Sequence, residues 1–310
     1  MSVPPSGEQV ELVRGSARAV VVEVGGGLRS YDVDGVAVVD GYAEQDMASA
    51  GRGQVLAPWP NRLRGGRYTW DGAEHQVPID KPAEGNALHG LVRWQAWDVA
   101  ERSTDTEADA VTMALRLHPS PPYPFCVDLT VRWALTAEGL VAEHTATNVG
   151  AQAAPYALGL HPYVTVGGLV DEARLTVPAG SWLPTDEHSI PTGTEPVDGT
   201  AYDFRSARPI GTLALDQAFA DLQRGPDGVA RVRLEGERTV ELWVDASFGW
   251  LQVFSGDTLP QVERRRQALA VEPMTAPPNA FVTGEGVLRL EPGDTVTHRW
   301  GVRPRRPEQS

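Results

Sequence analysis

Val127-Asp128-Leu129-Thr130-Val131-Arg132-Trp133-Ala134-Leu135-Thr136 sets Val127, Leu129, Val131, Trp133 and Leu135 against Asp128, Thr130, Arg132 and Thr136. Successive side chains of a strand point to opposite faces, so this period of two predicts a half-buried β-strand. Glu138-Gly139 follows at once and predicts a hairpin. The pattern recurs outward along the chain. Asp71-Gly72 lies between Arg67-Tyr68-Thr69-Trp70 and His75-Gln76-Val77, Pro292-Gly293-Asp294 divides residues 287–290 from 296–302, and Gly25-Gly26-Gly27 sits between two apparent strands. Each is a hairpin signature. Helical 3.6-residue stripes longer than two turns are hard to find, because 32 glycines and 25 prolines interrupt the windows where one would form. The reading is an all-β chain folded as a large antiparallel β-sandwich, without internal repeats.

A chain of 310 residues has room for about two domains, yet all-β units often run to roughly 200–250 residues. The linker-like stretches 1–8, 101–109 and 184–200 also suit long surface loops, and composition does not shift across them. A single domain over 1–310 is expected, with tails at 1–8 and 303–310. With 41% hydrophobic and 22% charged residues, a sizeable core can be buried. The net charge of -14 repels nucleic-acid phosphates and anionic membrane surfaces, so neither is an expected partner. Cys126 is the only cysteine, which excludes an internal disulfide and multi-cysteine zinc sites. The first eight residues lack the pattern of a signal peptide and no run of about 18 apolar residues occurs, so a cytoplasmic, soluble protein is expected.

Four segments place chemically capable residues in constrained settings: Pro58-Trp59-Pro60-Asn61-Arg62-Leu63, Leu88-His89-Gly90, Gly159-Leu160-His161-Pro162-Tyr163, and Val271-Glu272-Pro273-Met274-Thr275 with Pro277-Pro278-Asn279-Ala280-Phe281. Glu272 stands in what reads as a proline-stiffened loop at a strand end. His161 has a glycine two residues before it, permitting close backbone approach, and a proline after it that ends the strand. His118 instead runs into Ser120-Pro121-Pro122, an ordinary loop. Gly90 lets a ligand or another backbone approach His89, or simply makes a turn. Arg62 can offer its planar fork to hydroxyls or a carboxylate, or form a surface ion pair. Asp216, between apolar neighbours, reads most simply as a turn cap. Trp59, Trp94 and Trp97 can stack on a sugar ring or fill a core. His-Glu-x-x-His, Gly-x-x-x-x-Gly-Lys and Gly-x-Ser-x-Gly motifs are absent, so neither a metal nor a nucleotide cofactor is expected.

Taken in order, Asn61-Arg62-Leu63, Gly85-Asn86-Ala87-Leu88-His89-Gly90, Pro155 to Tyr163, Leu215-Asp216, and Glu272-Pro273-Met274-Thr275 with Pro278-Asn279-Ala280-Phe281 resemble the aldose 1-epimerase (galactose mutarotase) family over residues 20–302. The resemblance implies a galactose mutarotase-like β-supersandwich that interconverts the α and β anomers of free hexoses without a cofactor. It implies Glu272 as general base, His161 as general acid and His89 as a second histidine near the ring oxygen. Arg62 and Asp216, with Asn61 and Tyr163, fall among sugar-binding positions. Val164 departs from the family, where an aromatic residue is common. A small-molecule sugar is the implied partner, in a monomer or homodimer.

The chemistry suits these residue types. Ring opening removes a proton from the anomeric hydroxyl and delivers one to the ring oxygen, and reclosure after rotation gives the other anomer. A histidine needs a nearby carboxylate to stay protonated at neutral pH, a field that Asp216 or Glu272 can supply. Acid and base are expected at opposite edges of one pyranose. Two rival readings are a hexose-6-phosphate 1-epimerase, with Arg64, Arg67 and Arg93 as phosphate ligands, and a non-catalytic carbohydrate-binding protein. A glycosidase fits less well, since two opposed carboxylates would be needed.

Overall fold

In the computed structural model, which describes residues 3–305, strand Val127–Thr136 pairs along its whole length with Gly139–Asn148. These two sit inside a nine-stranded antiparallel sheet ordered Asp98–Thr104, Ala108–Leu117, Val127–Thr136, Gly139–Asn148, Thr295–Arg305, Thr239–Val244, Ala230–Glu235, Arg174–Thr176, Arg208–Pro209. A second, twelve-stranded sheet runs from Gln9–Arg14 through Ala17–Val22, Leu28–Val33, Val36–Val39, Tyr163–Val164, Leu269–Met274, Trp250–Phe254, Asp216–Leu222 and Ala179–Leu183 to Glu195–Pro196, with Gly159–Leu160 and Val55–Leu56 branching from it. Among the described residues, helix is confined to Ala280–Thr283 and a 3-10 turn at Val262–Arg264.

The apolar faces of the two sheets share one core. Leu12, Val21, Val253 and Val271 from the larger sheet join Val131, Trp133 and Leu135 from the smaller in a single buried cluster. Each fully buried valine or leucine side chain contributes roughly 1.5–3 kcal/mol, so many such residues hold the layers together. Trp133 also donates its Nε1–H to the carbonyl of Gly26, at 2.9 Å, tying a strand of one sheet to a turn of the other.

Hairpins form at Gly25-Gly26-Gly27, Asp71-Gly72 and Glu138-Gly139. The Pro292-Gly293-Asp294 signature is a turn without a hairpin: Leu288–Leu290 pairs with Ala154–Tyr156, whereas Thr295–Arg305 enters the nine-stranded sheet. The Gly293 N–H donates to the carbonyl of Asn148 at 2.8 Å, which ties the turn to the end of Gly139–Asn148. Residues 101–109, read as a surface loop, mostly complete two paired strands around a short turn. The tails are shorter than expected. Ser6 is buried and its carbonyl accepts from Val24 N–H at 3.0 Å, and residues 303–305 pair with Thr239–Val244. The remaining expected tail residues, 1–2 and 306–310, lie outside the described residues.

The alternation also decides where a site can form. In Leu269–Met274, Val271 belongs to the shared core, while Ala270 and Met274 belong to small clusters on the other face. Glu272 therefore points away from the sandwich core. Register puts Gln252 opposite Glu272 and Asp216 opposite Phe254, so Asp216, Gln252 and Glu272 share this outer face.

Candidate active site

Over that outer face lies a cavity of about 400 Å³ whose walls include Asn61, Arg62, His89, His161, Tyr163, Asp216 and Glu272. All seven residues singled out from the sequence thus meet in one place. Glu272 is not in a loop: it occupies a central strand of the sheet, next to Pro273 in the same strand. The strand before Pro162 does end, as read: Gly159–Leu160 stops there and Tyr163–Val164 resumes after it, and both short strands pair with Leu269–Met274. This break turns His161 towards the carboxylate 111 positions later. His161 Nε2 lies 3.3 Å from Glu272 Oε1.

The two groups touch rather than standing at opposite edges of a sugar. Both oxygens that exchange protons in ring opening are bonded to the anomeric carbon, so an acid and a base serving them have to be close together. His161 and Glu272 are 5% and 3% exposed. Burial, followed by the nearby charge of Asp216, pushes the Glu272 carboxyl well above the usual range, against the opposing pull of Arg62. Burial, followed by the Arg52 guanidinium, lowers His161 to about 3. Desolvation thus opposes the positive charge on His161 that a nearby carboxylate is expected to support. Desolvation of both partners disfavours the charged forms of the pair, whose Oε1 and Nε2 stand 3.3 Å apart.

His89 is held differently. Asn61 and His89 both adopt left-handed backbone, with φ of 54° and 64°, a conformation in which Asn and His are enriched. The His89 N–H donates to the Asn61 carbonyl at 2.9 Å, and the Asn61 N–H donates to His89 Nδ1 at 3.1 Å. Because Nδ1 accepts, the proton of the neutral ring sits on Nε2. Burial, then the neighbouring His161 and Arg93, holds the ring well below the usual histidine range. His89 is thus a neutral Nε2–H donor. Gly90 serves backbone approach, since a Cβ there would stand 2.1 Å from the Ala57 carbonyl oxygen.

Ligand atoms of His89, His161 and Glu272 come within 4.8 Å of one another, a spacing that could hold a metal ion. The donor set does not fit one. A metal needs the Nε2 lone pair of His89, and the Asn61 N–H commits that nitrogen to carrying the proton.

Arg62 is no surface ion pair. Its Nε donates to Glu84 at 2.7 Å and its Nη2 lies 3.8 Å from Asp216. The Pro277-Pro278-Asn279 segment braces the loop: Asn279 N–H donates to the Arg62 carbonyl at 2.7 Å, and its Oδ1 accepts from Arg64 N–H at 3.0 Å. Asp216 opens a strand and stands at the cavity lip with 46% of its side chain exposed. Desolvation by the cavity walls raises its carboxyl, offset by Arg62 and by the Gln252 amide that donates to it at 2.6 Å. Tyr163 is fully buried and spends its hydroxyl on the Ala50 carbonyl at 3.0 Å, offering the site a ring rather than a hydrogen bond.

Trp94 lines the cavity, whereas Trp59 and Trp97 fill the core. Among the arginines considered for phosphate, Arg93 lines the cavity, paired with Asp80 at 2.5 Å; Arg64 pairs with Asp186, and Arg67 lines a separate hollow with Tyr68 and His75. Sequence reading missed Gln252, Glu84, Gly51 and Arg52. Gln252 carried one legible signal, a polar residue between Trp250 and Phe254 on one face of an apolar strand. Gln252 Oε1 and Glu272 Oε2 have no hydrogen-bond partner in the protein. Buried acceptors left unpaired cost free energy, so a ligand rich in hydroxyl donors matches them.

A family model described as Aldose 1-epimerase matches residues 8–303. The uncharacterized protein YihR of Escherichia coli is 36% identical over 290 residues, covering 93% of this chain and 90% of that protein. Human galactose mutarotase is 30% identical over 197 residues, 61% of this chain and 55% of its own length. The crystal structure of a galactose mutarotase-like protein from Clostridium acetobutylicum superimposes with a TM-score of 0.86 at 15% identity, covering 98% of this chain and 97% of the other, and so shares its fold.

Proposed function

Since the chain belongs to the aldose 1-epimerase family, we propose that it interconverts the α and β anomers of a free aldohexose such as glucose or galactose. The observation that carries this reading is the 3.3 Å contact between His161 and Glu272 inside a cavity with hydroxyl-binding groups around it. Glu272 takes the proton of the anomeric hydroxyl, and His161 protonates the ring oxygen. The pair holds one proton between its members, and sugar hydroxyls donating to the carboxylate favour placing it on His161. His89 donates its Nε2–H towards the ring oxygen, while Arg62, Asn61 and Asp216 bind hydroxyls and Tyr163 backs His161. Each proton removed is returned on reclosure, so the scheme is redox-neutral and asks for no cofactor. The shared core from Val10 to Val302 supports treating the chain as one domain, and we place the enzyme in the cytoplasm.

Three cations and four carboxylic side chains line the cavity: Arg62, Lys81 and Arg93 against Asp80, Glu84, Asp216 and Glu272. Because Arg62 and Arg93 are already ion-paired, this balance favours an uncharged sugar over a sugar phosphate. Polarimetry on freshly dissolved α-glucose, α-galactose and glucose 6-phosphate, with the wild type and Glu272→Gln, tests the reading. Turnover of a free sugar that falls by roughly 10³-fold in the variant is expected. Equal rates in the two proteins would remove Glu272 from its role, and a strong preference for the phosphate would replace the substrate.

A further inference from the structure

Beside His161, running from the cavity wall to a buried cation that the acid–base scheme does not use, stands a layered stack. The His161 and Tyr163 rings lie 5.1 Å apart between centroids and 13° from parallel. The Arg52 guanidinium carbon lies 4.2 Å from the centroid of the same tyrosine. Arg52 is only 1% exposed, which is costly for a cation unless its donors are satisfied. Here they are satisfied by one corner of the fold. Its Nε donates to the Asp40 carbonyl at 3.0 Å, Nη2 to the Asp40 carboxylate at 3.0 Å and Nη1 to Ser49 Oγ at 3.3 Å. Arg264 in turn donates to the other Asp40 oxygen at 2.7 Å.

The segment bearing Arg52 also grips the backbone of His161. Gly53 N–H donates to the His161 carbonyl at 2.9 Å, and His161 N–H donates to the Gln54 carbonyl at 3.2 Å. Gly51, with φ of 75°, lies flat against the imidazole; a Cβ there would come within 2.3 Å of His161 Cδ2. Residues 49–54 therefore fix the ring from its edge and its backbone, and Arg52 clamps the tyrosine that fixes its face.

We propose that Arg52 is a positioning residue for His161, holding the imidazole in register with Glu272 through the face of Tyr163. The inference rests on the acid–base reading of the site. A buried cation over the same tyrosine also discourages a second positive charge on His161. The titratable and charged groups facing His161 are Glu272 from the sheet, His89 from the opposite wall, Tyr163 and Arg52 behind it, and Arg93 across the cavity.

Arg52→Met keeps much of the side chain's bulk and removes both the charge and the planar cap; Arg52→Lys restores the charge alone. For Arg52→Met we expect kcat about tenfold lower with KM within about twofold, and His161 protonation shifted upward by roughly one pH unit. Arg52→Lys should return the titration towards that of the wild type and recover only part of kcat. NMR of the His161 ring nitrogens between about pH 6 and 2.5 reads the titration, which starts from about 3 in the wild type, without turnover. A folded Arg52→Met with wild-type kcat and unchanged titration would overturn the proposal. If that variant does not fold, Arg52→Lys decides: a loss confined to kcat supports the clamp, and an unchanged kcat or a loss in KM alone overturns it. A wild type that interconverts no anomer would sink the acid–base reading, and the imidazole titration would still test the influence of Arg52 on His161 independently of turnover.

Discussion

Two pairs of buried histidines occupy opposite layers of the molecule. His89 and His161 meet at 5.3 Å on the outer face of the twelve-stranded sheet. His144 and His298 face one another across adjacent strands of the nine-stranded sheet, walled by Trp133, Trp300, Tyr156 and Phe248. Burial lowers His144 to about 3 and His298 to about 4, much as it lowers His161 to about 3. Depressed basicity therefore does not distinguish a working histidine from a packed one. What differs is the company: His161 has a carboxylate within 3.3 Å and opens on a cavity, whereas His144 accepts the Trp300 indole N–H at 3.1 Å and makes no ion pair among the described residues.

The sharpest way to break this comparison is to exchange the members in turn. His161→Asn should lower kcat by roughly 10²–10⁴-fold, while His144→Phe leaves kcat near that of the wild type and lowers stability by about 1–3 kcal/mol, because the Trp300 donor loses its partner. Polarimetry with urea unfolding reads both, and comparable kcat losses would erase the distinction. Next in size, His89→Phe should reduce kcat by about 10²-fold if its Nε2–H serves the ring oxygen. A rate within threefold would confine His89 to shaping the wall. Asp216→Asn should act mainly on binding, raising KM about tenfold with kcat nearly kept.

The mildest effect concerns pH. A histidine kept neutral in the fold but free to charge when unfolded gives the unfolded state more protons below pH 6.5, so stability rises with pH. The contribution is fully present above about 6.5. It is lost as pH falls towards about 4 for His298 and about 3 for His144 and His161. Each such group adds a slope of about 1.4 kcal/mol per pH unit within its window. Urea unfolding of His298→Phe between pH 6.5 and 4.5 should show a slope smaller by that amount, and an unchanged slope would mean His298 titrates alike in both states.

Much of the architecture was legible wherever order is local. The 127–136 alternation and its Glu138-Gly139 turn formed as read, since a strand's faces and a tight hairpin depend on neighbouring residues. Pro292-Gly293-Asp294 misled because its turn is real but its flanking strands find partners in different sheets. The loop assigned to Glu272 also misled: Pro273 suggests a strand end, yet it lies within a strand held between Trp250–Phe254, where Leu251 stands opposite it, and Tyr163–Val164 from far earlier in the chain.

The candidate site divides in the same way. Residue types, the alternation that turns Glu272 outward from Val271, and the net charge of -14 are properties of the chain as written. Which histidine meets which carboxylate is not, because His161 and Glu272 become neighbours only through strand register across the closed sandwich. The proton on His89 Nε2 likewise depends on a backbone donor 28 positions away, and the clamp at Arg52 on a tyrosine far along the chain. Local pattern sets the direction in which a side chain leaves the backbone. Burial, hydrogen-bond partners and hence protonation belong to the assembled whole, because desolvation and close charges arise from segments that the sequence keeps apart.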